Sequence, residues 1–452
     1  MHCLEKYWNQ IKWAMFILCL TAIYLVKPNL QLVLFFFALL FVCLLLLRWR
    51  PTDPMFRLLL ISYLVRLLML YIRMSPSFFN WSNIGYGDEI GFEAGAAKYA
   101  ALFRAGDLLA IIRDIKGYAF HIFISLPYVL FGKIPNLLRI FNVMINTITI
   151  YYIYQITEKL FGSKAAKTAG WIYCFWPSAL YSFAAIYRES INLFATVICI
   201  WLSMKLMKEI KIPDLFFFAL SAIFLYFSRV SAFFVTMLFL AGPLIGYFQD
   251  KNVPLRKKLY LGFGALLVTA LGGLFVVRKM AGTLTYQALM EQRRDWGGSA
   301  YLQGVILDGP YSIIKYSFLG GLHFLFGPFL WDLKTPQLLL TFVASTIPIT
   351  ILFFLSPRPW QQLRKEQPAV AWGFATVFFF ATFGFGLFEG NYGAALRHRD
   401  QFVWILVVLA SPQVYSLLAN YNKRSNKAKP LLVTKIRAFL GRRSLKIKHF
   451  IE

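Results

Sequence analysis

The 452-residue sequence predicts an all-α polytopic membrane protein of about twelve transmembrane helices, both termini cytoplasmic, with two large outer loops carrying juxtamembrane helices. Three observations predict it. The chain is 59% apolar and only 15% charged, where soluble proteins run near 45–50% and 25%. Apolar runs of membrane-crossing length recur along most of it. Basic residues collect in every second connection between those runs.

The runs fall near 12–26, 31–47, 55–72, 137–157, 166–184, 190–207, 213–228, 231–248, 259–277, 336–356, 369–388 and 401–419. A spanning helix needs about 17–25 mostly apolar residues, and each run approaches or reaches that length. No cleavable signal peptide is expected, because the first run is followed by Lys27, Pro28 and Asn29 rather than by a small-residue cleavage site. The five cysteines show no metal-binding spacing and read as core filler.

With the N-terminus placed in the cytoplasm, the cytoplasmic connections hold Arg48 and Arg50; Lys159, Lys164 and Lys167; Lys205, Lys208 and Lys211; Lys251, Arg256, Lys257 and Lys258; and Arg358, Arg364 and Lys365. The tail after Tyr421 adds ten more basic residues. The short outer connections hold only Lys27, Arg188, Arg229, Arg397 and Arg399. This asymmetry fixes the orientation. It also accounts for the net charge of +27 as a matter of topology and anionic headgroups, so nucleic acid is not an expected partner.

Two further apolar stretches, 117–131 and 314–331, are broken by Gly, Pro and His. If either crossed alone, every later basic connection would be turned outward, so both are expected to lie along the outer face or dip into it. The outer loops are thus 73–136 and 278–335. The division is an N-terminal hairpin, 1–54, a catalytic membrane region, 55–421, and a basic cytoplasmic tail, 422–452. Within the tail, 430–450 alternates apolar and basic residues in a way that suits a helix lying on anionic lipid.

In such a chain, chemistry is sought where ionisable residues gather. Asp88 and Glu89 follow two glycines in the first outer loop. A carboxylate there can serve as a general base or hold a divalent cation such as Mg or Mn, or it can simply cap the helix beginning near Ile90. No cofactor is required by any motif. Tyr187, Arg188 and Glu189 sit together at the outer end of a span, where they read equally as a site or as a structural ion pair. Arg397, His398, Arg399 and Asp400 precede the last span. The two arginines point the same way if the backbone is extended, though not if it is helical, and their forks suit phosphate oxygens. No HExxH, Walker or dinucleotide-binding pattern occurs, so neither a zinc site nor use of cytosolic nucleotide is expected. Arg66 lies in mid-helix and must face a polar partner.

Taken together, Asp88-Glu89, AAKYA, RAGD, HIFISLPYVLFG and the segment NLLRIFNVMINTITIYYIYQITEKLFGSKAAKTAGWIYCFWPSALY resemble the polytopic GT-C glycosyltransferases. The nearest group is the dolichyl-phosphate-mannose-protein mannosyltransferase-like one, which includes the bacterial aminoarabinose transferases. The likeness covers about 75–190 and extends to ALRHRDQF. It implies transfer of sugar from a polyprenyl-phosphate donor to a glycan, lipid or protein acceptor, at an active site on the extracytoplasmic face of the plasma or inner membrane. It maps the acidic residue onto Asp88, with Glu89 beside it, and the phosphate-binding arginines onto Arg397 and Arg399. Arg188 is a further phosphate ligand by position, and Glu189, Tyr187 and His398 would shape the cavity. Two extra spans before the acidic loop and the lack of a large soluble C-terminal domain set this chain apart from the group and leave the acceptor open. A polysaccharide polymerase or ligase of the O-antigen kind is the alternative, and a lipid-linked glycan flippase or transporter comes third.

Overall fold

The computed structural model describes residues 2–25, 30–74, 86–134, 136–249, 299–305 and 310–421. The expected span at 259–277, the early part of the second outer loop and the tail helix lie outside these residues. The described chain is almost wholly helical. No strand occurs among the described residues beyond an isolated bridge between Ala300 and Asn391.

The helices are α1 (His2–Leu25), α2 (Leu30–Arg48), α3 (Pro54–Met74), α4 (Tyr86–Ala105), α5 (Leu108–Phe131), α6 (Leu137–Cys174), α7 (Pro177–Ser182), α8 (Arg188–Leu206), α9 (Ile212–Ser228), α10 (Val230–Met237) and α11 (Gly242–Gln249). Beyond these come α12 (Pro310–Phe326), α13 (Pro336–Leu355), α14 (Pro357–Glu366), α15 (Pro368–Phe388), α16 (Tyr392–Arg399) and α17 (Trp404–Tyr421). Proline opens α13, α14 and α15, where the missing N–H costs nothing and φ is already helical. Asp107 caps α5, its carboxylate accepting from Ala110 N at 3.1 Å. A π turn over Phe342–Thr346 interrupts α13.

Seven of these helices are long and apolar enough to cross a membrane, and four shorter apolar helices accompany them. Their outward faces are greasy. Along α9, Phe216, Phe217, Leu220 and Ile223 are all exposed, as are Leu64, Leu68 and Tyr71 on α3. Water tolerates no continuous apolar surface of this kind, whereas lipid does.

The expected pair of spans at 137–157 and 166–184 is built from α6 and α7. Gly162 breaks α6 with φ 82° and ψ 173°, a left-handed value that glycine adopts freely. The chain then doubles back, because Asn142 near the start of α6 donates to Ala185 O at 2.5 Å. Arg66 meets this returning limb, giving hydrogen bonds to the carbonyls of Tyr173 and Cys174 at the end of α6 and to Ser62 Oγ. Its charge sits where the helix dipole is negative.

The bundle has two unlike ends. At one end, Lys159 donates to Met204 O, Lys205 pairs with Asp214, Lys164 lies over the Tyr415 ring, and Trp360 reaches Ala371 O. The opposite end gathers Arg73, Asp88, Glu89, Arg139, Ile186, Glu189, Arg229, Glu389, Arg397 and His398. Basic hairpins therefore share one end and the candidate site the other.

Helix α12 ends at the site end. Ser299 and Tyr301 before it bond Tyr392 and Gly390, and Gly327 after it accepts from Arg399. The helix lies against α15 with backbone touching backbone: a Cβ on Gly320 would stand 2.1 Å from Gly386 O, and one on Gly386 would stand 2.3 Å from Gly321 N. Gly384, two residues away, has open space. Gly386→Ala is therefore expected to lower the melting temperature of the purified protein markedly while Gly384→Ala leaves it unchanged, a comparison read by thermal unfolding in detergent.

Candidate functional site

The site grows from the first turn of α4. That helix begins at Tyr86, so Asp88 and Glu89 lie inside its first turn rather than capping a start near Ile90. Neighbours on a helix point about a hundred degrees apart, and the two acids go to different places. Glu89 is buried, at 2% exposure. Its Oε1 accepts from Arg139 Nε at 2.7 Å and from Ile186 N at 3.0 Å, and its Oε2 accepts from Arg73 Nη2 at 3.3 Å. With both oxygens engaged, Glu89 joins α3, α4, α6 and the segment before α8. Glu89, expected beside Asp88 as a catalytic carboxylate, is placed here as an anchor between these elements.

Asp88 instead faces outward, its side chain 55% exposed, and accepts from Arg397 Nη1 at 2.8 Å. The two residues are 309 positions apart in sequence. The Arg397 guanidinium lies over the Tyr187 ring at 4.9 Å, and Arg73 lies near the same ring at 5.6 Å and donates to its hydroxyl at 3.4 Å. Tyr187 thus spaces two cations. Burial works against the Arg397 charge, but Glu189, Asp88 and Tyr187 outweigh it and hold its pKa above the ordinary arginine value.

Beneath this pair sits a buried cluster of four ionisable groups. Glu189 Oε1 accepts from Arg229 Nη1 at 2.9 Å and from His398 Nε2 at 3.2 Å, while His398 Nδ1 contacts Glu389 Oε1. Both imidazole nitrogens therefore face carboxylate oxygens. The Phe385 ring closes the cluster, with Arg229 over it at 5.5 Å. The other Glu189 oxygen is buried with no partner.

Arg188 stands apart from these pairs. Among the described residues it makes no ion pair, and its Nε is buried without an acceptor. His121 Nδ1 is likewise buried and unpartnered. Burial holds the His121 imidazole below its ordinary pKa, with Arg188 and then Lys98 pushing the same way. Around Asp88, among the described residues, Arg73, Arg139, Arg188, Arg229 and Arg397 gather with the carboxylates of Asp88, Glu89, Glu189 and Glu389, and Arg188 makes no ion pair. This gathering suits an anion.

Arg399 does not join them. The segment 392–399 is helical, so Arg397 and Arg399 diverge, and the expected shared grip on one phosphate is corrected. Arg399 is 2% exposed and donates from Nη1 to the carbonyls of Phe324, Leu325 and Gly327, closing the end of α12. Burial drops its pKa to about 10. Asp400 is wholly buried beside it, accepting from Ser178 Oγ at 2.7 Å and Trp176 Nε1 at 3.2 Å, and burial pushes its carboxyl up to about 6.

Arg73, Arg139 and Arg229 were not singled out by the sequence, since each reads as an ordinary cation at the end of a span. Their signal is that each lies at the end of the bundle away from the basic hairpins. Among the described residues no group of three or more His, Cys, Asp or Glu side chains is placed to hold a metal ion. No protein-family model, curated protein or solved structure matches the chain.

The unequal burial of the neighbouring acids has a measurable result. Glu89→Gln leaves two buried guanidiniums short of a counter-charge and is expected to cost about 3–5 kcal/mol, whereas Asp88→Asn should cost under about 1 kcal/mol; denaturation of the two variants in detergent separates them. Asp400 yields a pH dependence. Its folded pKa is raised, so the neutral acid is favoured in the fold, and its contribution, full below about pH 4, is lost as pH rises through about 6. The melting temperature of the wild type should fall more between about pH 5 and pH 7.5 than that of Asp400→Asn, which keeps an oxygen for Ser178 and Trp176.

Proposed function

We propose that the chain is a multi-pass glycosyltransferase of GT-C type, with twelve spans and both termini cytoplasmic, that transfers sugar from a polyprenyl-phosphate donor to an acceptor on the extracytoplasmic face. The observation that carries the reading is the exposed Asp88 carboxylate held against Arg397, whose guanidinium covers the Tyr187 ring next in sequence to Arg188, a residue that makes no ion pair among the described residues. The orientation rests on the separation of the basic hairpins from that site.

In the resting site Asp88 and Arg397 neutralise each other. The donor phosphate takes over Arg397 and engages Arg188 as well, and Asp88 is released as a free base. The acceptor hydroxyl oxygen then attacks the anomeric carbon through an oxocarbenium-like transition state, its proton passing to Asp88. The bond from the anomeric carbon to the phosphate oxygen breaks, and polyprenyl phosphate departs with its negative charge held by the arginines. The ion pair at Arg229, Glu189, His398 and Glu389 keeps α16, and with it Arg397, in place.

Transfer assays in proteoliposomes test this. Asp88→Asn should reduce turnover by at least about a hundredfold with an unchanged melting temperature, and Arg397→Gln or Arg188→Gln should mainly raise the KM for the lipid donor. Full activity in Asp88→Asn would remove the proposed base. A requirement for a donor bearing a glycan repeat unit instead of one sugar would indicate the polymerase or ligase reading.

A further inference from the structure

An apolar cavity of about 440 Å³ lies between α12, α13, α14, α15 and α17. Its wall runs from Gly321 and Leu325 toward the outer end, past Phe378 and Phe383, to Ser356 and Trp360 at the basic end. No charged side chain lines it. Ser356 Oγ donates to Leu352 O at 2.7 Å and Trp360 Nε1 to Ala371 O at 3.3 Å, so these two donors are already used and the Thr382 hydroxyl is the remaining polar side chain on the wall. Water would find few partners there, while hydrocarbon fits. The cavity also has a side opening, since Phe353 and Phe379 line it and are exposed on the lipid-facing surface.

Its basic end is closed by α14, PRPWQQLRKE, the most sharply two-faced helix described. Pro359 and Leu363 are buried, while Arg358, Arg364 and Lys365 are exposed. The one acid of this helix, Glu366, accepts from Gln362. Trp360 belongs to both features. Its ring lines the cavity and carries the Arg364 guanidinium over it at 5.2 Å. Hydrocarbon space and a cationic rim thus meet at one residue.

We propose that α14 and this cavity form a binding site for one anionic glycerophospholipid of the cytoplasmic leaflet. An acyl chain fills the cavity and the headgroup phosphate lies on Arg358, Arg364 and Lys365. Basic rims between membrane helices on the cytoplasmic side select anionic headgroups, and the cavity volume falls in the range of a single small ligand, about 300–1,000 Å³. The occupant is distinct from the sugar donor. A polyprenyl phosphate bound for reaction has its phosphate at Arg397 and Arg188, the far end of the bundle.

The test uses the full chain purified in detergent, with phosphatidylglycerol or phosphatidylcholine added, and reads lipid adducts by native mass spectrometry and stability by thermal unfolding. Phosphatidylglycerol should bind one per chain and raise the melting temperature, with phosphatidylcholine at least about fivefold weaker. Removing the exposed charges together, as Arg358→Gln, Arg364→Gln and Lys365→Gln, should abolish the preference while leaving the lipid-free melting temperature unchanged. Filling the cavity with Ala375→Trp should prevent the adduct. Equal binding of the two lipids, an undiminished preference in the charge-removed variant, or selective displacement of phosphatidylglycerol by polyprenyl phosphate would each overturn the proposal; so would adduct formation by a folded Ala375→Trp protein. If that variant fails to fold, the charge-removed protein decides the matter alone.

Discussion

Two buried carboxylates, Glu89 and Glu189, determine how the site end of this bundle is assembled. In a chain whose helices are apolar on most faces, hydrophobic burial gives little preference between one helix arrangement and another, because lipid and protein interior are alike to a leucine. A buried charge is different. Each acid must find its cations or bear a large desolvation cost. Glu89 draws together Arg73 at the end of α3, Arg139 at the start of α6 and the backbone of Ile186. Glu189 draws Arg229 from the turn between α9 and α10, and His398 from α16. Five distant stretches of chain are located by these contacts alone.

Asp88 gains its meaning from that framework. Its neighbour fixes the first turn of α4, so the exposed carboxylate is presented on a held backbone, and Arg397 is presented from α16 by the cluster under it. Tyr187 lies between the two networks and touches both Arg73 and Arg397. The proposed chemistry therefore asks for little rearrangement: an anion has to replace one carboxylate on one guanidinium.

Membrane residence and the positions of most helices were legible from apolar periodicity and charge bias, and so was the return of the chain at Gly162, where a Gly-Ser pair among lysines separates two apolar runs. The side-by-side acids were not separable in advance. Asp88 and Glu89 have the same local sequence, and only the arrival of Arg73 and Arg139 from elsewhere makes one interior and one exposed. Arg399 was misread because its role depends on whether residues 392–399 are extended or helical, and AALRHR with its short flanking loop is compatible with both. Arg66 was readable, since a lone guanidinium in mid-span has to end on polar atoms, and the free carbonyls at a helix terminus are the nearest supply.

The adjacency of Arg188 and Glu189 at the head of α8 makes the setting of that helix digital. A screw motion of one residue, about 1.5 Å along the axis with a turn of about 100°, would bring a guanidinium to the place where Arg229 and His398 meet an anion. Like charge would then meet like charge in a dry interior. The head of α8 is therefore held to the register in which the carboxylate, and not its neighbour, meets Arg229 and His398.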